Sequence, residues 1–129
     1  MAKILLIDDD ELLRRVLSKS LEHAGHTIIQ AADGQQGIDL ARATGVELVI
    51  TDLVMPVREG VETILQLRRE RPSLPIIAIS GDHSNSKLYL EIAAKIGAKR
   101  ILPKPFTPSE LLKLVDTVLG SGEQTKTQT

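Results

Sequence analysis

Five short aliphatic runs alternate with longer amphipathic stretches along this chain, and this alternation is what most constrains its fold. The runs cover residues 3–7, 27–31, 47–51, 75–80 and 99–102. Their apolar character is typical of strands that are buried on both faces, as the strands of a parallel sheet are. The intervening stretches repeat apolar residues at helical spacing; the fourth, for example, carries Leu88, Ile92 and Ile96. The pattern therefore predicts an α/β fold with one parallel sheet covered by helices on both faces.

Turn and capping residues divide the chain at the same places. A glycine follows four of the helical stretches, where a left-handed residue commonly ends a helix. These glycines are Gly25, Gly45, Gly97 and Gly120. The sequence TPSE at residues 107–110 has the pattern of a capping box that opens the last helix, and Asp10 and Glu11 are interpreted as helix-start acids. We predict one domain over residues 1–120 and a disordered polar tail over residues 121–129.

Composition excludes several classes of function. The 129 residues carry a net charge of −1 and no Lys/Arg-rich run, so we interpret Arg68, Arg69 and Arg71 as a solvated helix face rather than a nucleic-acid site. The absence of cysteine excludes disulfides and thiolate metal sites. No apolar run approaches the roughly 20 residues that span a bilayer. We expect a cytoplasmic chain with no direct contact with membrane or nucleic acid.

Polar side chains with distinct chemistry stand at the ends of four predicted strands. Asp8 and Asp9 follow the first run, Asp52 follows the third, Ser80 ends the fourth, and Lys104 comes just after the fifth. The carboxyl ends of parallel strands meet at one edge of the sheet, where ligands bind in open α/β folds. Neighbouring carboxylates repel each other unless a cation or a reaction compensates. The set is suited to a hard cation such as Mg²⁺ together with a phosphoryl group.

With these positions aligned, the sequence resembles the receiver domain of bacterial two-component response regulators. The motifs that carry the resemblance are IDDD at residues 7–10, TDLVMP at 51–56, Gly60, ISG at 79–81 and PKPF at 103–106. They occur in order, and the resemblance covers about residues 3–119. It implies a flavodoxin-like (βα)5 three-layer sandwich whose five-stranded parallel sheet has the order 2-1-3-4-5.

The resemblance also implies roles for the acidic residues. Asp52 matches the phospho-accepting aspartate of the family. Asp8 and Asp9 match the acidic pair that, with Asp52 and the backbone carbonyl of Val54, binds Mg²⁺ or Mn²⁺. Val54 also stands at the mouth of the pocket, at a position that in this family tunes how fast water removes the phosphoryl group.

The other motif residues match positions that contact the phosphoryl group. Ser80, with Gly81 beside it, and Lys104 match the groups that bind the phosphoryl oxygens and switch the conformation. The peptide bond before Pro105 is a candidate for the cis form, which this family often has at that position. Asp82 matches a second position that tunes dephosphorylation.

The function implied by the resemblance is that of a phosphorylation-controlled signalling switch. A sensor histidine kinase or a phosphotransfer protein would donate the phosphoryl group, and a downstream protein would bind the face formed by the predicted fourth helix, fifth strand and fifth helix. The only chemistry expected is self-catalysed phosphotransfer and autodephosphorylation, not that of a conventional enzyme. We expect a monomer or a weak dimer. A face that could form the dimer includes Lys95, Lys99, Arg100 and Glu110.

Two features depart from the family pattern and leave alternatives open. Ile101 occupies the position where most receivers carry an aromatic residue that moves on activation, so the aromatic switch is expected to be absent. The absence of an aromatic residue at position 101 leaves a second alternative open: a degenerate receiver that binds partners without phosphorylation. A third alternative is an aspartate-nucleophile phosphatase; such enzymes usually carry a second acid two residues after the nucleophile, where Val54 stands. The second departure is the segment between Ser80 and Lys104, which is about two residues longer than the family pattern. The extra length is assigned to the polar segment 81–86, which is expected to be a mobile loop that gates the pocket.

Overall fold

The predicted alternation of strands and helices is confirmed by a computed structural model, which describes residues 2–53, 57–80, 91–92 and 94–128, with the backbone alone for 57–59 and 121–128. The strands are β1 (Lys3–Ile7), β2 (Thr27–Ala31), β3 (Leu48–Asp52), β4 (Ile76–Ser80) and β5 (Arg100–Pro103). The helices are α1 (Glu11–His23), α2 (Gly34–Thr44), α3 (Val57–Glu70) and a C-terminal helix (Pro108–Gln128). The strands form one parallel sheet in the order β2-β1-β3-β4-β5, as the resemblance implies.

The two faces of the sheet bury separate aliphatic clusters, because successive side chains of a strand point to opposite faces. On one face, α2 and α3 contribute Ile38 and Ile64 to a cluster with Leu5 and Val49 of the sheet. On the other face, α1 and the C-terminal helix cover a second set. Its fully buried members include Leu6, Ile50, Leu17 and Val115. Both faces of the central strands are therefore dry, which accounts for their continuous apolar sequence.

Side-chain caps begin three of the helices. The Asp10 carboxylate accepts a hydrogen bond from the Leu13 backbone N–H at 3.1 Å, and Asp33 caps α2 in the same way through the Gln36 N–H at 2.8 Å. At the C-terminal helix the predicted capping box is present. The Glu110 N–H donates to Thr107 Oγ1 at 3.1 Å, and the Thr107 N–H donates to Glu110 Oε1 at 2.9 Å. These caps satisfy backbone donors that have no partner within the helix.

One of the predicted glycine caps is corrected. Gly25, Gly45 and Gly97 have positive φ angles, but Gly120 lies inside the C-terminal helix, so its prediction as a cap is wrong. That helix continues over residues 121–128, the predicted polar tail; helix hydrogen bonds are local, and no proline interrupts them there. The division of the chain at residue 120 remains a prediction.

The prediction that Arg68 is merely solvated is also wrong. Its Nη1 donates to the carbonyl oxygens of Pro72 (2.6 Å) and Leu74 (2.9 Å), and its Nη2 donates to that of Gly97. Arg68 thus ties α3 to the loop that follows it and to the turn before β5. A side chain on Gly97 would meet this guanidinium, because an added Cβ would lie 2.8 Å from Arg68 Nε.

The predicted fourth helix and the predicted gating loop fall largely outside the described residues. Leu88 and the segment 81–86 are not described, whereas residues 91–92 and 94–95 are helical. Within the described part of the chain, no helix combines the length and the apolar character that a membrane span requires.

Candidate acidic phosphoryl site

The carboxyl ends of the strands bring four of the predicted site residues to one edge of the sheet. The strand register pairs Ile7 with Thr51, Asp52 with Ile79, and Ser80 with Pro103. Asp8 and Lys104 each lie one residue beyond a strand, where the backbone pairing continues. The Asp8 N–H donates to the Ala31 carbonyl at 3.1 Å, and the Lys104 N–H donates to the Ser80 carbonyl at 2.9 Å. As predicted, one edge of the sheet therefore holds all four residues: Asp8, Asp52, Ser80 and Lys104.

Asp8, Asp9 and Asp52 form a compact acidic cluster. One carboxylate oxygen from each residue lies within 4.8 Å of the corresponding oxygens of the other two. Asp8 and Asp52 are fully buried, whereas Asp9 is exposed. The cluster therefore has a buried inner part, formed by Asp8 and Asp52, and one acid, Asp9, that is exposed to solvent.

Lys104 provides the positive charge nearest to Asp52 among the described residues. Its Nζ lies 3.2 Å from Asp52 Oδ2; the Lys104 side chain is 23% exposed and that of Asp52 is 1% exposed. The Lys104–Pro105 peptide bond is cis, at the position where the resemblance implies it. The lysine is accessible from solvent and touches the buried carboxylate, so it can contact an incoming anion and Asp52 together.

Asp8 has an oxygen that the described structure leaves without a partner. Its Oδ1 accepts a hydrogen bond from the Asp10 backbone N–H at 2.8 Å, but no described residue hydrogen-bonds to the buried Oδ2. Burial is the largest cause that raises the pKa of Asp8, and the Asp10 N–H lowers it; with the raising effect of the neighbouring Asp52 charge, the pKa lies at about 7. A buried carboxylate with an unused oxygen beside a second carboxylate suits Mg²⁺, which prefers oxygen ligands. The donor set therefore fits the expected cation.

The remaining predicted positions divide into those that the structure describes and those that it does not. Ser80 is fully buried at the end of β4. Ile101 is half-buried, pairs with Ala78 in the sheet, and packs against the cluster on the α2 and α3 face. The predictions for Val54, Gly81 and Asp82 concern residues outside the described part of the chain.

Two residues near the site have structural roles that the sequence analysis did not identify. Gly37 of α2 packs against the end of β1, since an added Cβ would lie 2.8 Å from Ile7 Cγ1. Arg14 of α1 donates from Nη1 to the Asp8 carbonyl oxygen at 2.7 Å. The spacing of Arg14 after the acidic pair, one helical turn into α1, is a signal that could have indicated this contact.

Taken together, the fold and the site define an open α/β domain whose strand ends hold clustered carboxylates beside a lysine. The family model described as the response regulator receiver domain matches residues 4–116. The chain belongs to this family.

Similar proteins are consistent with this assignment. The transcriptional regulatory protein CpxR of Escherichia coli (strain K12) is 35% identical over 119 residues, which cover 92% of this chain and 50% of CpxR. The alkaline phosphatase synthesis transcriptional regulatory protein PhoP of Bacillus subtilis (strain 168) is 30% identical over 121 residues, covering 94% of this chain and 50% of PhoP. The chain thus spans about half the length of these curated relatives.

Solved structures include similar chains of nearly the same length. The chemotaxis protein CheY4 of Vibrio cholerae has a TM-score of 0.82 and 31% sequence identity, with 92% of this chain and 98% of that chain covered. A CheY-like receiver domain protein from Methanospirillum hungatei JF-1 has a TM-score of 0.88 and 25% identity, with 97% and 98% covered. Both similarities extend over almost the whole of the domain.

Proposed function

We propose that this domain is a phosphorylation-controlled switch in which Asp52 accepts a phosphoryl group from a phosphohistidine of a sensor kinase or phosphotransfer protein. The observation that carries the proposal is the pairing of buried Asp52 with the Lys104 ammonium at 3.2 Å, inside a cluster of three carboxylates. A carboxylate held beside a cation at an otherwise acidic site is suited to attack a phosphorus atom whose oxygens carry negative charge.

The proposed transfer is a direct displacement at phosphorus. A carboxylate oxygen of Asp52 forms the new P–O bond while the P–N bond to the donor imidazole breaks, and the electron pair leaves with the nitrogen. Lys104 contacts the phosphoryl oxygens and offsets their charge, so that the domain contributes mainly positioning and electrostatics. Water later attacks the phosphorus, the P–O bond to Asp52 breaks, and inorganic phosphate leaves.

Asp8, Asp9 and Asp52 would hold a Mg²⁺ ion, with the Val54 backbone carbonyl as a further ligand implied by the family. The ion supplies positive charge that offsets the negative charge of the phosphoryl oxygens. Support for this role comes from Oδ2 of Asp8, to which no described residue hydrogen-bonds, and from the pKa of that carboxyl group, which burial raises.

The proposed output is a shift between two conformations, in which Ser80 and Lys104 bind the phosphoryl group better in the active one. Moving a population from 1:99 to 99:1 requires roughly 5.5 kcal/mol of differential binding. One hydrogen bond to a charged group supplies about 1.5–3 kcal/mol. We therefore expect a partial shift that a protein partner completes. Ile101 has no ring to move, so the change at the surface of β5 is expected to be small.

An exposed apolar surface beside the site supports docking of the donor protein. Leu12 and Val16 on α1 are 72% and 46% exposed. Val16 also lines a groove of about 300 Å³ that continues to Lys104, Pro105 and Phe106. A donor that covers this groove would bring its phosphohistidine toward Lys104 and Asp52, and the apolar contacts would supply affinity.

One experiment tests the proposal. The chain is incubated with Mg²⁺ and a small acyl phosphate or phosphoramidate, and the mass is measured before and after treatment with hydroxylamine. We expect the gain of one phosphoryl group that hydroxylamine removes, and no gain in Asp52→Asn. No gain in the wild-type chain, or an equal gain in the variant, would refute the assignment and favour a phosphorylation-independent interaction module.

A further inference from the structure

Arg14 connects the acidic pair to the neighbouring strand without touching a carboxylate in the described contacts. It lies in the first half of α1 and is half-buried. Its Nη1 donates to the Asp8 backbone carbonyl at 2.7 Å, and its Nε donates to Gln30 Oε1 at 3.1 Å. Because Gln30 belongs to β2, one guanidinium joins α1, β2 and the end of β1.

The carbonyl that Arg14 contacts belongs to the peptide between Asp8 and Asp9. On the other side of Asp8, the N–H is fixed by its hydrogen bond to the Ala31 carbonyl, and the side-chain Oδ1 is fixed by the Asp10 N–H. The orientation of the Asp8–Asp9 peptide determines the directions in which both carboxylates leave the backbone. The contact from Arg14 fixes that orientation.

We propose that Arg14 is a positioning residue of the acidic site: by holding the Asp8–Asp9 peptide, it sets the affinity of the cluster for Mg²⁺. This inference rests on the proposed function, since it takes Mg²⁺ as the ligand. Groups that orient metal ligands from outside the ligand set typically change metal affinity about 10–100-fold when they are removed. The guanidinium donates to a carbonyl and an amide oxygen, and so leaves carboxylate oxygens available for the metal.

Whether substitution of Arg14 weakens or strengthens Mg²⁺ binding distinguishes a positioning role from a purely electrostatic one. Removing a positive charge near an acidic site should strengthen the binding of a cation if charge alone acts. Loss of a positioning contact should weaken it. Arg14→Gln removes the charge and the contact together, so the direction of the change in Mg²⁺ affinity decides between the two roles.

Arg15 is the matched control, because it is the neighbouring arginine on the same helix and is exposed. Mg²⁺ binding to the unphosphorylated chain is measured by isothermal titration calorimetry for the wild type, Arg14→Gln, Arg14→Lys and Arg15→Gln. Urea unfolding of each variant establishes that it is folded. We expect Arg14→Gln to weaken Mg²⁺ binding about tenfold, Arg15→Gln to leave it unchanged or slightly stronger, and Arg14→Lys to lie between wild type and Arg14→Gln.

The outcomes distinguish this inference from the function on which it rests. If the wild-type chain does not bind Mg²⁺, the proposed metal role of the acidic cluster fails. If the wild type binds Mg²⁺ and Arg14→Gln binds it equally well or more tightly, only the positioning role is refuted. Should Arg14→Gln not fold, Arg14→Lys decides, since unchanged affinity in that variant would also refute the role.

Discussion

The buried carboxyl group of Asp8 should make the metal-free domain less stable as the pH rises. Burial raises its pKa from 3.8 to about 7, with a further contribution from Asp52. The folded state therefore holds this proton more tightly than the unfolded state does. The resulting decrease in the free energy of unfolding is absent below pH 3.8 and reaches its full size above about pH 7. A difference of about three pKa units, at about 1.4 kcal/mol for each, gives about 4 kcal/mol over the full range.

Urea unfolding followed by circular dichroism measures this decrease, since the chain has no tryptophan. Between about pH 5.5 and pH 8, the wild-type free energy of unfolding should fall by about 2 kcal/mol more than that of Asp8→Asn. The comparison cancels the titration of groups that both proteins share, including the three histidines. Asp10→Asn is the control, because Asp10 is an exposed acid two residues away and asparagine retains the helix cap.

Mg²⁺ provides the second arm of the experiment. At about pH 8, an ion concentration 100 times the Kd should add about 2.7 kcal/mol to the stability of the wild-type chain. The same concentration should stabilise Asp8→Asn much less, because a neutral amide oxygen attracts the cation less strongly than a carboxylate does. Equal loss of stability with pH in the wild type and Asp8→Asn would show that Asp8 carries no buried charge penalty, and the reasoning would be refuted.

Two further predictions concern packing and docking. Gly37→Ala should destabilise the domain by about 1–3 kcal/mol in urea unfolding, because the added methyl group meets the buried Ile7 side chain. Gly120→Ala is the control: its added Cβ meets no described atom within 4 Å, so the change should be neutral or stabilise the domain by up to about 1 kcal/mol. Equal effects of the two substitutions on the free energy of unfolding would contradict the packing argument. Val16→Asp should slow phosphotransfer from a kinase at least tenfold but leave labelling by a small acyl phosphate unchanged. Leu65→Asp, on the exposed surface of α3, should leave both rates unchanged, and a normal kinase reaction in Val16→Asp would exclude the α1 groove as the docking surface.

The arrangement of the site residues was predictable because it depends on few physical rules. Asp8, Asp52, Ser80 and Lys104 stand at or just beyond the ends of apolar runs, and parallel strands deliver such residues to one edge. The structure adds what the runs do not encode: Asp8 and Asp52 are buried, Asp9 is exposed, and the lysine contacts Asp52 rather than Asp8 among the described contacts. Burial depends on how the loops and helices close over the edge.

The contacts of arginine and glycine residues were not predictable in the same way. Arg68 sits near the end of an amphipathic helix, where a basic residue is usually solvated, yet its partners include a carbonyl 29 residues away. Gly37 and Gly120 are both helical, but only Gly37 faces a buried side chain at short distance. The difference is set by the distance between α2 and β1, which no local pattern specifies.

The charges of the buried groups indicate why the metal and the phosphoryl group belong to one site. When the carboxyl groups of Asp8 and Asp52 are both ionised, the charge of Lys104 balances only one of them, which leaves one excess negative charge among buried groups. The raised pKa of Asp8 shows that protonation of Asp8 is one way to remove this excess charge. A divalent cation converts that excess into one positive charge. Conversion of the Asp52 carboxylate into a doubly charged acyl phosphate adds one negative charge and brings this set to neutrality. Asp9, the exposed third carboxylate of the cluster, adds a further negative charge beside this set. The cation lowers the negative charge that an incoming phosphoryl group meets, so each should bind more tightly when the other is present.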